Sequence, residues 1–151
     1  MPSDNLKPGL GTTLGISASL PTTEDLTGYG ALTLLTVGEV TEVPSFGPEH
    51  AVVTHTPLAS GIVAKYHGEL NNGSMTVPMA LDNDDTGQAA LKTALASRNR
   101  VAFGVTYADG TIDYFSGKVM SFTRGASIGS VVQAEVMIEI ETAIVFDDGT
   151  P

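Results

Sequence analysis

A serine-centred motif near the end of the chain is the first candidate for chemistry. Residues 125–129 match the G-x-S-x-G pattern that would make Ser127 the nucleophile of an esterase. That chemistry needs a strand before the serine, a helix after it, and an acid and a histidine further along the chain. A strand-like pattern follows the motif instead, and no histidine follows His67. We therefore expect a turn at this position and a protein that is not an enzyme.

An acidic cluster over residues 82–87 is similar to the first half of a calcium-binding loop, with glycine at its sixth position. The twelfth position is Thr93, where that loop requires a glutamate that supplies two oxygens, and the intervening residues have a helical pattern. Helix capping explains the cluster better, because Asp85 and Gln88 have the spacing of a capping box. We expect no metal here.

Three histidines, His50, His55 and His67, lie close together in the chain. Imidazole is a common metal ligand and the side chain that titrates nearest neutral pH. Their spacing does not place two of them on one helical face, which favours ordinary surface or interface histidines. Neither a P-loop nor a dinucleotide-binding glycine motif is present. We expect no cofactor and no metal.

The composition limits the protein's partners and compartment. Seven Lys and Arg residues against seventeen Asp and Glu give a formal net charge of −10, which disfavours binding to a nucleic-acid backbone. There is no cysteine, so the chain has neither disulfides nor thiolate metal ligands. The first residues lack a signal-peptide pattern, and no apolar run reaches the ~20 residues of a membrane span. These features predict one soluble cytoplasmic domain that does not contact a membrane.

One helix interrupts a pattern that is otherwise typical of β-strands. It begins after Asp85, and Leu91 and Leu95 recur at helical spacing, so we expect both to pack against a sheet. A strand pattern follows over residues 101–107, then an Asp-Gly turn, and a second strand pattern covers residues 111–123.

The last strand pattern covers residues 130–146 and has one apolar and one acidic face. Glu135, Glu139 and Glu141 lie on the acidic face. The run exceeds the usual strand length of about 3–10 residues, so it must bend across two sheets or extend beyond its own domain. The predicted fold is mainly β, with two packed antiparallel β-sheets in a sandwich-like or barrel-like arrangement and one flanking α-helix.

The chain divides into an extended N-terminal arm (1–31), a single β-rich domain (32–146) and a C-terminal tail (147–151). Strands are predicted over residues 33–43 and 74–81, separated by a long connection at 45–72. That connection contains β-like runs and is predicted to project as a hairpin, although a hairpin folded back onto its own sheet is the alternative. Its apolar residues need a partner that covers them. They are Val52, Val53, Leu58, Ile62, Val63 and Tyr66.

The order of these elements resembles the major tail tube proteins of long-tailed, siphophage-type bacteriophages. The resemblance covers residues 33–146, from the strand before the hairpin, through the helix that opens at Asp85, to the final strand. It implies a structural virion protein that is assembled in the host cytoplasm and forms hexameric rings. The rings stack into a tail tube through which DNA is delivered. The resemblance also implies tape-measure and tail-end proteins as further partners and a hairpin that packs against the adjacent ring.

DNA is expected to pass this tube without specific binding. A wall that carries the same sign of charge as DNA keeps the DNA from adsorbing, so Glu135, Glu139 and Glu141 are the candidate lumen residues. Three alternatives remain: another β-sandwich virion component for head decoration or tail completion, a contractile-injection or secretion tube, and a small-ligand-binding β-sandwich. The absence of tryptophan makes the last one poorly suited to stacking on sugars.

Overall fold

The computed structural model describes residue 6 and residues 8–148, in which β-strands far outnumber helices. In this part of the chain, neither helix is long and apolar enough to cross a membrane. In chain order the elements are β1 (Thr13–Ser17), α1 (Leu26–Gly30), β2 (Leu35–Thr36), β3 (Glu49–His55), β4 (Ala64–Asn71), β5 (Ser74–Ala80), α2 (Thr86–Ser97), β6 (Val101–Thr106), β7 (Ile112–Gly125), β8 (Gln133–Ile140) and β9 (Val145–Asp147).

Seven strands form one antiparallel sheet in the order β2-β1-β6-β7-β8-β5, and β9 also pairs with β7. Strand β7 links the two halves of this sheet, because residues 112–117 pair with β6 and residues 117–125 pair with β8. Gly117 is where the two pairings meet. A Cβ atom there would collide with the carbonyl oxygen of Glu139, so the crossing requires glycine.

The main core contains alternate side chains from both halves of the sheet. Leu14, Phe103 and Phe115 come from one half, and Val77 and Ile138 come from the other; all five are fully buried. Helix α2 adds Leu91 and Ala94 to the same cluster. The predicted mainly β fold with two antiparallel sheets and a flanking helix is confirmed, the second sheet being the separate β3–β4 pair.

A smaller core covers the opposite face of β6 and β7. Tyr29 of α1 stacks on Tyr114 with ring centroids 5.4 Å apart. The Tyr29 hydroxyl lies 2.8 Å from the Ser116 hydroxyl and 3.3 Å from that of Thr142. Aromatic stacking thus fixes α1 to the sheet, and the buried hydroxyls satisfy one another.

The predicted arm needs correction, because its second half is part of the domain. Strand β1 pairs with both β2 and β6, and Leu14 and Ile16 lie in the main core. A five-residue strand is too short to show a clear alternation of apolar and polar residues in the sequence. This strand forms because it pairs with distant parts of the chain. The first five residues of the arm and residue 7 lie outside the described part of the chain.

Two other strand predictions differ from the structure. The final strand ends at Ile140 and resumes as β9, because the Thr142 hydroxyl turns inward and accepts a hydrogen bond from the Ser116 amide. The stretch 33–43 contains only the short β2 and one bridge from Val40 to Met79. The predicted tail at 147–151 starts inside β9, and its residues 149–151 lie outside the described chain.

Candidate assembly surface

The connection at 45–72 contains an isolated two-stranded hairpin, which we call the assembly hairpin (β3, β4 and the loop 56–63). Its strands pair with each other in a sheet of their own. Seven residues at about 3.4 Å each give β3 a reach of about 24 Å. An isolated two-stranded hairpin has marginal stability in water, so this segment needs a neighbouring surface to hold it.

Both faces of the assembly hairpin carry exposed apolar side chains. Leu58 and Ile62 lie in its loop and are 102% and 72% exposed. Val52 lies on one face, and Val53 lies opposite Tyr66 on the other. All six residues that the sequence assigned to inter-ring contact are exposed, as is Leu70, which sequence reasoning missed although it continues the same pattern.

The base of the assembly hairpin is tightly joined to the sheet. Phe46 packs on Phe115 of the core with ring centroids 5.7 Å apart. The backbones of Gly47 and Gly73 approach so closely that a Cβ atom on Gly73 would collide with the Gly47 carbonyl. The hairpin therefore begins and ends at one point, and its projecting part is separable from the core.

The predicted acidic face contains three glutamates with different surroundings. Glu135 is exposed and lies between Thr123 and Pro78 in the sheet, whereas Glu139 is half-buried beside Lys118. Glu141 accepts a 2.6 Å hydrogen bond from the Nε of Arg100 and also pairs with Lys118 at 3.4 Å.

The charge of Glu141 is balanced locally. Burial alone would raise the pKa of its carboxyl, but the hydrogen bond and charge of Arg100, together with Lys118, hold the pKa below its usual range. The acidic character of this face therefore depends on Glu135 and Glu139.

The start of α2 shows only half of a capping box. Asp85 accepts hydrogen bonds from the backbone amides of Gln88 at 2.8 Å and Gly38 at 3.0 Å. The Gln88 side chain does not return to the Asp85 amide. It accepts from the Asp82 amide and donates to the carbonyls of Gly38 and Ala80, each within 3.0 Å. Gln88 is fully buried, so it ties the helix to two loops.

The two leucines of α2 have unequal positions. Leu91 is fully buried in the main core, whereas Leu95 is half-buried at its margin. Lys92, on the neighbouring side of the helix, lies with its ammonium 5.5 Å from the centre of the Phe122 ring. Leu91 therefore makes most of the helix's packing contact with the main core.

The serine-centred motif lies in the exposed loop between β7 and β8. The Ser127 hydroxyl is 2.8 Å from that of Ser130, and every histidine of the chain is on the assembly hairpin. Over residues 6 and 8–148, no cluster of three or more His, Cys, Asp or Glu side chains is arranged to hold a metal. The same loop exposes a second apolar surface formed by Ile128, Val131 and Val132. In the sequence, its signal is a group of apolar residues without helical or strand-like spacing.

Comparison with known proteins places this geometry in a recognised fold. No protein-family model and no curated protein sequence matches the chain. Among solved structures, the tail of an empty gene transfer agent particle with C6 symmetry superposes with a TM-score of 0.69 at 18% identity, covering 94% of this chain and 99% of that one. The SPP1 tail tube gives a TM-score of 0.64 at 10% identity, covering 93% and 79%.

A chain of the sheath–tube complex of an extracellular contractile injection system is similar to the same degree. Its TM-score is 0.64 at 9% identity, with 95% of this chain and 93% of that chain covered. At these identities the likeness defines the fold. The resemblance to tail tube proteins, first indicated by the order of elements, is confirmed at that level: the chain has the fold of phage tail tube proteins.

Proposed function

We propose that this protein is a structural subunit of a phage tail tube. Six copies form a ring, the rings stack into a hollow tube, and DNA passes through the tube without binding to a specific site. The virion tail, assembled in the host cytoplasm, is the compartment, and tape-measure and tail-end proteins are the partners. A subunit of this kind supports delivery mechanically and performs no catalysis.

The observation that carries this proposal is the assembly hairpin. It projects from a core that is complete without it, and it exposes Val52, Leu58, Ile62 and Tyr66 together. Several large apolar side chains exposed on one projecting segment are typical of a protein contact. The fold match to a C6-symmetric tail supports six copies as the number in each ring.

The charge distribution fits a conduit for DNA. The formal net charge of −10 disfavours adsorption of a polyanion, and Glu135 and Glu139 concentrate negative charge on one outer face of the sheet. We assign this face to the lumen. Glu141 is left out of that assignment because Arg100 and Lys118 balance its charge.

A tube of a contractile injection system is the second candidate, favoured because the superposition on the injection-system sheath–tube complex is as good as that on the SPP1 tail tube. Such a tube lies inside a sheath, so its outer surface must bind a second protein. The two candidates are distinguished by imaging the particle: a tube without a surrounding sheath would favour the tail tube of a long-tailed phage.

Removal of the assembly hairpin tests the proposal. We join Pro48 to Asn72 through a short Gly-Ser linker, which the close approach of Gly47 and Gly73 permits. The shortened chain should melt cooperatively, because Phe46 and the main core are retained. Electron microscopy of the concentrated full-length protein should show stacked rings with a central channel, and the shortened chain should show no stacks.

A matched control changes the other exposed apolar loop. Replacing Ile128 with serine leaves the assembly hairpin intact and should leave the stacks intact as well. Stacks formed by a well-folded shortened chain would remove the role of the hairpin. A full-length protein that stays monomeric at every concentration and salt condition would contradict the tube itself.

A further inference from the structure

We propose that His50 and His67 form a two-histidine site for a late first-row divalent metal ion, such as Cu²⁺ or Ni²⁺, across the strands of the assembly hairpin. Their rings are in contact, with centroids 4.8 Å apart and planes inclined at 73°. Both side chains are exposed, so an ion reaches them from solvent. Ordinary histidines were predicted from their spacing along the chain. That spacing carries no information about which residues become neighbours when two strands of a hairpin pair.

A β-bulge brings the two rings together. His67 lies opposite Val52, whereas His50 lies opposite Leu70, so one residue of β3 faces two residues of β4 between these pairs. Side chains alternate along β3, so His50 shares a face with Val52 and therefore with His67. Bulges re-aim side chains, and this one makes the two imidazoles diagonal neighbours.

The distance between the rings suits two ligands of one ion. Metal–nitrogen bonds of about 2.0–2.1 Å, plus about 1.1 Å from nitrogen to ring centre, place each ring centre about 3.2 Å from the ion. At ligand angles of about 90–110°, the two centres are then about 4.5–5.2 Å apart. The observed 4.8 Å lies inside this range. Binding requires the rings to rotate until one nitrogen of each imidazole points to the same ion.

The donor set selects the class of ion. Within residues 6 and 8–148, no third His, Cys, Asp or Glu joins the pair, so water completes the coordination. Structural zinc sites use four protein ligands, which this site lacks. Two imidazoles with water suit Cu²⁺ and Ni²⁺, which bind nitrogen donors more tightly than the earlier divalent ions of the series.

Binding has a physical consequence for the hairpin. An ion held by one histidine on β3 and one on β4 binds the paired strands better than the separated ones, so it stabilises their pairing. The site is complete within one chain. It therefore exists before any assembly, and its test does not depend on whether tubes form.

Calorimetry on the untagged, unassembled full-length chain tests the site, with NiCl₂ as the probe. We expect one ion per chain, and at least tenfold weaker binding for either His50→Gln or His67→Gln. The double variant should lose far less binding free energy than the sum of the losses in the two single variants, because both residues hold the same ion. His55→Gln is the matched control, since His55 lies on the opposite face, paired with Ala64, and should leave binding unchanged.

A second measurement needs no variant. Paramagnetic Cu²⁺, added in small amounts, should broaden the ring proton signals of His50 and His67 together and spare those of His55. Equal broadening of all three rings, or a calorimetric loss on replacing only one of the pair, would overturn the shared site. Nickel binding that is retained in the double variant would also overturn the shared site.

Discussion

Gln88 gives the sharpest test of how this fold is held together. Its fully buried side chain makes three hydrogen bonds, one each with the Gly38 and Ala80 carbonyls and one with the Asp82 amide. These groups belong to the loop after β2, the end of β5 and the turn before α2. Replacing Gln88 with leucine keeps the volume of the side chain and removes all three bonds.

The expected cost follows from the groups left behind. The three backbone partners belong to half-buried residues. Each partner left without a hydrogen bond costs about 1–3 kcal/mol, and the added apolar surface of leucine offsets part of the sum. We expect a loss of about 3–5 kcal/mol in the free energy of unfolding. For a domain of this size, that lowers the melting temperature by about 6–20 °C.

Urea and thermal unfolding of the unassembled chain, followed by circular dichroism, measure this loss. Gln133→Leu is the matched control, because Gln133 is exposed and makes only a 3.4 Å contact with the neighbouring Val131 carbonyl. It should change stability by less than about 0.5 kcal/mol. A loss below about 1 kcal/mol for Gln88→Leu, or equal losses in the two variants, would refute this account of the buried amide.

Four further predictions test other parts of the structure. Asp85→Ala should cost about 2–3 kcal/mol in chemical denaturation, and Asp85→Asn less than about 1 kcal/mol, because a single carboxylate oxygen accepts both amide hydrogen bonds. Leu91→Ala should cost about 2–5 kcal/mol and Lys92→Ala less than about 1 kcal/mol, since only the leucine is fully buried. The pKa of Glu141 is lowered from its ordinary value of 4.5, so its stabilising contribution is present at pH values above 4.5 and is lost as the pH falls through the folded-state pKa; Glu141→Gln should therefore make stability less dependent on pH in the acid range. Glu135→Lys should leave tube assembly intact and slow DNA delivery by phage particles at low salt, with recovery as salt rises; normal delivery at every salt concentration would remove the lumen assignment.

The helix was predictable because its signals are local. Asp85 caps α2 by accepting from the amide three residues later, and the leucines on its apolar stripe meet the sheet. The hydrogen bonds of Gln88 were not predictable from the capping box, because its side chain binds Asp82 and Ala80 ahead of the helix and reaches the Gly38 carbonyl, which is 50 residues away in the chain. Buried polar networks depend on tertiary contacts, and a local motif does not specify them.

The strands were predictable only where one face is uniformly apolar. Strand β8 alternates as expected, with Ala134, Val136 and Ile138 buried. Strand β7 does not, because a register shift between Val119 and Ser121 leaves Met120 exposed. A bulge changes the face of the sheet that a side chain occupies. The alternation of residues along the sequence does not predict where a bulge occurs.

The same limit applies to the assembly hairpin, where a bulge determines the proposed metal site. The hairpin was predicted from its β-like runs and its uncovered apolar residues, whereas His50 and His67 were predicted to be ordinary surface or interface histidines. The register shift in β4 makes them neighbours. Because the hairpin's strands pair only with each other in the described chain, its stability depends on what binds it. The proposed neighbouring subunit and the proposed metal ion are then two ligands of one marginally stable element, and each should strengthen the binding of the other wherever both bind the paired strands.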